Sequence, residues 1–161
     1  VKAFCPNPST IQLLQELAVD PSPILSCLTL LLEAMESDLG LDPPSSIRHV
    51  EFASVLRVLT PKNPVEVIGR YLSKPAHSFF DELMGIPSVL TSVRVVPRGR
   101  KPDEPEWFDL TVEPLWRSPE NRYYVRVVYR SKNPEKVFRF VDGVKEFALR
   151  IIEYLEEVSG V

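Results

Sequence analysis

Histidine, cysteine and glycine are all scarce in this sequence, which limits the chemistry it can carry. There are two histidines, two cysteines and six glycines in 161 residues. No HExxH, GxSxG or glycine-rich phosphate loop occurs, and the cysteines lack the CxxC spacing of a metal or redox site. We therefore expect no cofactor and no metal, and a non-enzymatic binding or assembly protein is favoured over an enzyme.

The two histidines allow only minimal catalytic arrangements. His49 and Glu51 share one face of a predicted strand, and an imidazole beside a carboxylate can act as acid and base. A small enzyme using this pair is therefore one alternative hypothesis, although the same pair also suits a strand edge without catalysis. His77 and Asp81 have the i,i+4 spacing of a helical surface pair, and no third metal ligand accompanies them.

Long apolar runs are also missing. The most apolar stretch, Ile24–Met35, is shorter than the roughly 20 residues of a membrane-spanning helix, and Val1–Pro8 lacks the apolar segment of a secretory signal. Cys5 and Cys27 fit two free thiols in a reducing compartment, or else one disulfide of a thermophilic intracellular protein. We expect a soluble, cytoplasmic protein without a membrane partner.

The composition is that of a globular domain. Hydrophobic residues make up 44% and charged residues 25% of the chain, and the formal net charge is −3. A chain of this length buries enough surface to fold without disulfides or metals. We predict a single domain over residues 1–161, with a helical N-terminal segment (1–46) followed by a sheet layer (47–161).

Capping and turn signals divide the chain into two N-terminal helices followed by β-α-β-β-β-α. The predicted helices are Ile11–Val19, Ile24–Leu39, Pro64–Leu83 with a break at Lys74-Pro75, and Pro134–Val158. The predicted strands are Val50–Leu59, Val89–Arg98, Trp107–Arg117 and Arg122–Arg130. This order predicts an α+β fold with one mainly antiparallel four-stranded sheet and helices packed on one face.

Three local features carry further expectations. The predicted helix Ile24–Leu39 is apolar around most of its circumference, which predicts burial inside the domain or at the interface of a homo-oligomer. Residues Ser118–Asn121 are expected to turn the last two strands into a hairpin. The segment Gly99–Glu106 contains two prolines and is expected to be a mobile surface loop.

Strict alternation in the last three strands gives the sheet two unlike faces. The apolar face, expected to meet the helices, carries Val93, Val95, Phe108, Leu110, Val112, Trp116, Tyr123, Val125, Val127 and Tyr129. The opposite face carries Arg94, Arg98, Asp109, Thr111, Glu113, Arg117, Arg122, Tyr124, Arg126 and Arg130. Six arginines against two carboxylates make this second face strongly basic.

A basic sheet face predicts an acidic partner. Guanidinium groups fork onto phosphates and stack on bases, so nucleic acid, a phosphorylated ligand and an acidic protein surface are candidate partners. Residues 86–132 hold nine basic and six acidic residues, whereas residues 1–56 hold two basic and seven acidic. The face could therefore also meet the acidic N-terminal third of a second copy, or remain solvated with cross-strand ion pairs.

A short motif occurs twice in the sequence. Val58–Val67 and Val128–Val137 both run from an apolar strand through Lys-Asn-Pro into a helix, where Asn caps and Pro takes the first helical position. The repeat indicates either convergent turn chemistry or an old duplication. If the two strands were parallel neighbours, Lys62 and Lys132 would flank two helix N-termini and form an anion site. The candidate ligand-binding residues are therefore Arg94, Arg98, Arg122, Tyr124, Arg126, Arg130, Lys62 and Lys132.

Overall fold

The structure, a computed structural model, describes residues 12–15, 22–72 and 74–160. Its strands are β1 (Gln12–Gln15), β2 (Val50–Leu59), β3 (Val93–Val95), β4 (Trp107–Pro114) and β5 (Arg122–Ser131). Its helices are α1 (Ser22–Ser37), α2 (Pro43–Ser46), α3 (Pro64–Tyr71), α4 (Lys74–Met84) and α5 (Pro134–Ser159). The predicted α+β class is confirmed, and the order of helices and strands matches the prediction approximately.

The strands form one sheet in the order β1-β2-β5-β4-β3. Strands β2, β5, β4 and β3 make the predicted antiparallel four-stranded sheet, while β1 pairs in parallel with β2. The predicted hairpin between β4 and β5 is present, because the backbone N–H of Leu115 donates to the carbonyl of Arg122 at 2.8 Å. Strand β5 therefore has β2 on one side and β4 on the other.

The predicted helix Ile11–Val19 is wrong where the structure describes it. Gln12–Gln15 form strand β1, whose residues pair in register with Glu51–Ser54 of β2. The rest of that predicted helix lies outside the described residues. An isolated helix this short is marginal in water, whereas the edge of β2 offers unpaired backbone groups to an extended segment.

Two predicted strands are shorter in the structure. Strand β3 covers only Val93–Val95, and Pro97 just beyond it has no N–H to continue a ladder. Strand β4 ends at Pro114, so Trp116 lies in the hairpin turn and is 63% exposed rather than buried. Val95, also predicted on the apolar face, is 42% exposed on its short strand.

The described chain falls into two compact units, and β2, β4, β5 and α5 each contribute residues to both. The first holds residues up to Val55 together with Val96–Asp109 and Val127–Val144. The second holds Leu56–Val95, Leu110–Arg126 and the chain from Lys145 on. The single domain expected from chain length therefore stays a prediction.

The core of the first unit joins β2 and β5 to the first half of α5. Its fully or nearly fully buried residues are Val50, Phe52, Val127, Val137, Val141 and Val144. The ring of Phe140 in α5 stacks on Tyr129 with centroids 4.5 Å apart and meets Phe52 edge-on at 6.3 Å. These contacts place α5 on the face of the sheet that the alternation pattern predicts to be apolar.

The core of the second unit has the same layered arrangement. Its buried residues include Val67, Ile68, Leu110, Val112, Tyr123, Val125, Ala148, Ile152 and Leu155. Helix α3 is held at its start by Asn63, whose side-chain oxygen accepts from the backbone N–H of Val65. The rings of Tyr71 and Tyr154 meet edge-on at 6.3 Å and join α3 to α5.

Most described side chains of the first long helix are exposed or partly exposed, so its predicted burial inside the domain is not seen, while burial at a homo-oligomer interface stays a prediction. Among the side chains of α1 that the structure describes, only Leu28 is buried, and Leu30 is 64% exposed. An apolar helix is buried only where another surface packs against it, and in the described part of the chain such packing is seen at Leu28.

Cys27 on α1 is an exposed free thiol, and Cys5 lies outside the described residues. None of the described helices has both the length and the apolar character needed to span a bilayer.

Candidate binding site on the sheet face opposite the helices

Tyr124 of β5 lies opposite Arg57 of β2 on the sheet face that the helices do not cover. The backbone N–H of Thr60 donates to the carbonyl of Asn121 at 2.9 Å, which fixes how β2 and β5 align. Moving three residues along each antiparallel strand from this pair brings Arg57 opposite Tyr124. Since both side chains point the same way from the sheet, the two are direct cross-strand neighbours.

The other neighbour of Tyr124 is acidic. The bond between the Leu115 N–H and the Arg122 carbonyl aligns β4 with β5, and two residues further along it places Glu113 opposite Tyr124. Tyr124 therefore lies between one arginine and one glutamate in the middle of a row across three strands. Arg94 joins the same face from β3, where its Cα partner is Thr111 of β4.

The alternation that defines this face is confirmed in β5. Arg122 and Arg126 are exposed and Tyr124 is partly exposed, whereas the intervening Tyr123 and Val125 have no exposed surface. No bulge therefore turns the two arginines to opposite sides of the sheet. Arg57 and Arg94 are exposed as well.

We use the name arginine face for Arg57, Arg94, Arg122, Tyr124 and Arg126. Within the described residues, the side chains of Arg57 and Arg122 make no hydrogen bond or ion pair, and the ring of Tyr124 contacts no other aromatic ring. The strand register places the carboxylate of Glu113 directly opposite Tyr124. The arginine face therefore presents a flat aromatic ring surrounded by guanidinium groups.

Arg130, a predicted binding residue, is already engaged inside the protein. Its Nε donates to the Glu51 carboxylate at 2.7 Å, and its Nη2 pairs with the same oxygen. The Arg130 and Glu51 side chains are only 16% and 11% exposed. An acidic side chain 79 residues away in the sequence therefore occupies the Arg130 guanidinium, and a role of Arg130 as a ligand contact stays a prediction.

The segment predicted to be a mobile loop is fastened at several points. Nη1 of Arg130 donates to the carbonyls of Pro102 at 2.7 Å and Glu104 at 3.2 Å. Nη2 of Arg48 donates to the carbonyl of Asp103 at 2.8 Å. The loop therefore lies over the end of the sheet that carries Arg130, and in the first unit the sheet face is not open there.

The carboxylate of Glu106 anchors the last residue of the same loop. It accepts hydrogen bonds from the Ser131 hydroxyl at 2.8 Å and from the Lys132 backbone N–H at 2.9 Å. Burial alone would raise the pKa of Glu106, but these two bonds and the nearby charges of Lys136 and Arg100 hold it below its usual value. The start of α5 thus already has an internal anion beside it.

His49 is buried close to the charges of Arg130 and Glu51. It is 8% exposed, and its Nδ1 atom has no hydrogen-bond partner among the residues that the structure describes. Burial and the charges of Arg130 and Arg48 lower the pKa of His49, while Glu51 acts in the opposite direction. The carboxylate of Glu51, the predicted partner of His49, is bound through one oxygen by Arg130, and the alternative of a small enzyme using the two residues stays a prediction.

Lys62 and Lys132 do not converge on one anion site. Strands β2 and β5 are neighbours but antiparallel, so their C-terminal ends point in opposite directions and α3 and α5 begin at opposite ends of the strand pair. The condition of parallel neighbours is therefore not met. The repeated turn chemistry itself is present. The side-chain oxygen of Asn133 accepts from the backbone N–H of Glu135 at the start of α5, just as the side-chain oxygen of Asn63 accepts from Val65 at the start of α3.

Three further predicted groups lie outside the arginine face. Arg98 and Arg117 are exposed, but both lie in turns beyond the ends of their strands. The side chain of His77 lies outside the described residues, and the Asp81 carboxylate accepts from the N–H and the hydroxyl of Ser88. Across residues 12–15, 22–72 and 74–160, no cluster of metal-ligating side chains occurs.

Arg57 is the residue that prediction from sequence left out of the candidate site. Alternation along β2 already placed it on the face of Glu51 and away from Phe52. The sequence alone did not show that β2 is the neighbour of β5 in the sheet.

Comparison of the chain with protein-family models, with curated proteins and with solved structures finds no match.

Proposed function

We propose that this protein is a non-enzymatic binding protein that uses the arginine face to engage an acidic partner. The observation that carries the proposal is the cluster of exposed arginines around Tyr124 on the sheet face opposite the helices. Exposed arginines gathered on one face make a local positive potential, which attracts acidic partners.

The chemistry of the cluster favours an anionic ligand with phosphate or carboxylate groups. Guanidinium groups are planar, permanently charged and weakly hydrated, so they form forked hydrogen bonds with such oxygens. Arg57 and Arg122 have no internal acid to satisfy them among the described residues, in contrast to Arg130. A ligand would therefore not have to displace an existing ion pair at these two positions.

The test is a binding titration of the full chain with single-stranded and double-stranded oligonucleotides and with poly-glutamate, each at two salt concentrations. We expect binding of at least one of these polyanions that weakens as salt increases. The charge-reversal variant Arg57→Glu/Arg122→Glu should reduce affinity strongly. Its matched control is Arg139→Glu/Arg150→Glu, which makes the same charge change at exposed positions of α5 on the helix side.

Two results would contradict the proposal. The first is no binding of any of the three polyanions at low salt. The second is an equal loss of affinity in the two double variants, because a general effect of net charge would then explain the binding without a specific face. Circular dichroism of each variant shows whether the fold is retained.

A homo-oligomer is the second candidate function, and the exposed apolar residues of α4 and α1 favour it. Phe79, Leu83 and Met84 of α4 are each more than 60% exposed, as is Leu30 of α1. Apolar patches of this kind are uncommon on monomers and often mark protein interfaces. Sedimentation velocity over a wide concentration range tests this candidate, and a single monomeric species at the highest concentration would exclude it.

A further inference from the structure

We infer that the ligand of the arginine face is single-stranded nucleic acid, with one unpaired base stacked on Tyr124 and the flanking phosphates bound by Arg57, Arg122 and Arg126. This inference rests on the proposed function and gives the acidic partner a chemical class. It follows from the position of the Tyr124 ring, which contacts no other aromatic ring of the described residues, at the centre of the arginine cluster.

Tyr124 is placed to act as a stacking platform. Its ring is partly exposed on the sheet face, and no other aromatic ring of the described chain packs against it. Every base has a π face, so stacking on such a ring contributes affinity without demanding a particular sequence. An acidic protein surface or an isolated phosphate would make no comparable use of the ring.

The spacing of the arginines fits a chain of phosphates. Arg122 and Arg126 each lie two residues from Tyr124 along β5, and two residues of a strand advance about 6.8 Å. The two arginines therefore lie about 13.6 Å apart along β5, one on each side of Tyr124, so their long side chains are placed to meet phosphates before and after a base stacked on the ring. Arg57, directly across from Tyr124, adds a third guanidinium beside the same base position.

The shape of the face disfavours a duplex. Strands lie about 4.8 Å apart, so the face from β2 to β3 is roughly 14 Å wide, whereas the major groove of B-DNA is about 12 Å wide and admits a helix or a two-stranded ribbon. The bases of a duplex are also stacked on one another and unavailable to Tyr124. Single-stranded segments expose their bases to aromatic side chains without this cost.

The experiment is fluorescence anisotropy with labelled 15-nucleotide probes at constant salt: an oligopyrimidine single strand, an abasic single strand of equal length and a duplex. We expect the oligopyrimidine to bind more tightly than the abasic strand and the duplex. Tyr124→Leu should weaken binding of the oligopyrimidine by roughly 5- to 150-fold, the range that stacking of one base provides. Tyr124→Phe retains the ring and should stay within about twofold of the unmodified protein.

The controls separate failure of this inference from failure of the proposed function. If Tyr124→Leu has no effect and the abasic strand binds equally well, the stacking is refuted while polyanion binding by the arginines stands. Preferred binding of the duplex or of poly-glutamate also overturns the inference and leaves the broader proposal intact. If Arg57→Ala and Arg122→Ala change the affinity no more than Arg150→Ala does, both are wrong.

Discussion

Removal of the Arg130 guanidinium should destabilise the first unit more than any exposed arginine substitution. In the variant Arg130→Met the carboxylate of Glu51 keeps its place near the sheet and loses both of its hydrogen-bond donors. The Glu51 side chain is 11% exposed, so water replaces the lost partner only in part. The carbonyls of Pro102 and Glu104 lose their donor in the same step.

The magnitude follows from the burial of the pair. Breaking one side of a fully buried ion pair costs about 3–5 kcal/mol, because an uncompensated charge stays in the interior. The residual exposure of Arg130 and Glu51 places this pair at the lower end of that range, so we expect a loss of about 3 kcal/mol. The carbonyls of the loop add little, since a released loop can hydrate them.

The double variant Arg130→Met/Glu51→Leu should restore most of this loss. Replacing both members of a buried ion pair by apolar side chains of similar size is often neutral or stabilising. We therefore expect a coupling free energy of about 2 kcal/mol or more from the double-mutant cycle. Arg122→Met, at an exposed position of the same strand, is the matched control and should change stability by no more than about 0.5 kcal/mol.

The assay is urea unfolding followed by circular dichroism, with the slope of each transition compared between variants. Trypsin provides an independent measure, because the Arg100–Lys101 bond lies in the loop that Arg130 holds, whereas Pro102 protects the bond after Lys101. Cleavage there should accelerate in Arg130→Met and not in Arg122→Met. A cost below 1 kcal/mol for Arg130→Met, or additive single variants, would refute the claim that this pair holds the loop.

Three further predictions concern buried polar groups and caps. The pKa of His49 is lowered in the folded protein, so the unfolded chain takes up a proton at this residue first and stability should fall as pH decreases below 6.5. Urea unfolding at several pH values measures this fall, and His49→Gln should make it smaller. Asn63→Ala and Asn133→Ala should each lower the free energy of unfolding by about 1 kcal/mol in the same assay, because each removes a helix cap. Asn121→Ala removes no cap and is the control, so its loss should be smaller than either. The buried hydroxyl of Tyr123 has no hydrogen-bond partner in the described part of the chain, so Tyr123→Phe should raise the thermal midpoint by an amount equivalent to about 1 kcal/mol. A lower midpoint would contradict this.

The elements best predicted from the sequence are those whose signals are local. Strand β2 has the predicted bounds, and β5 and α5 each extend one residue beyond theirs, because alternation and the Asn-Pro caps define them. The break between α3 and α4 also lies close to the predicted Lys74-Pro75. In each case the residues that determine the element are near neighbours in the chain.

The features that local sequence signals did not predict depend on distant partners. The apolar pattern of α1 does not reveal whether a second surface covers it, and the structure leaves Leu30 exposed. The pairing of Gln12–Gln15 depends on the free edge of β2 rather than on helix propensity. Likewise, nothing near Arg130 in the sequence indicates that Glu51 will bind it, so alternation assigned it to the correct face but not to its ion pair.

The antiparallel pairing of β2 with β5 explains both why the predicted anion site of Lys62 and Lys132 does not form and why Arg57 joins the candidate site. Because β2 is the antiparallel neighbour of β5, Lys62 and Lys132 are directed to opposite ends of the strand pair, which removes the anion site that a parallel pair would form. The same pairing brings Arg57 opposite Tyr124 and adds a guanidinium that the last three strands alone do not supply. The binding proposal therefore depends on strand order as much as on composition, and a register shift of one residue in β2 would turn Arg57 into the core and dissolve the cluster.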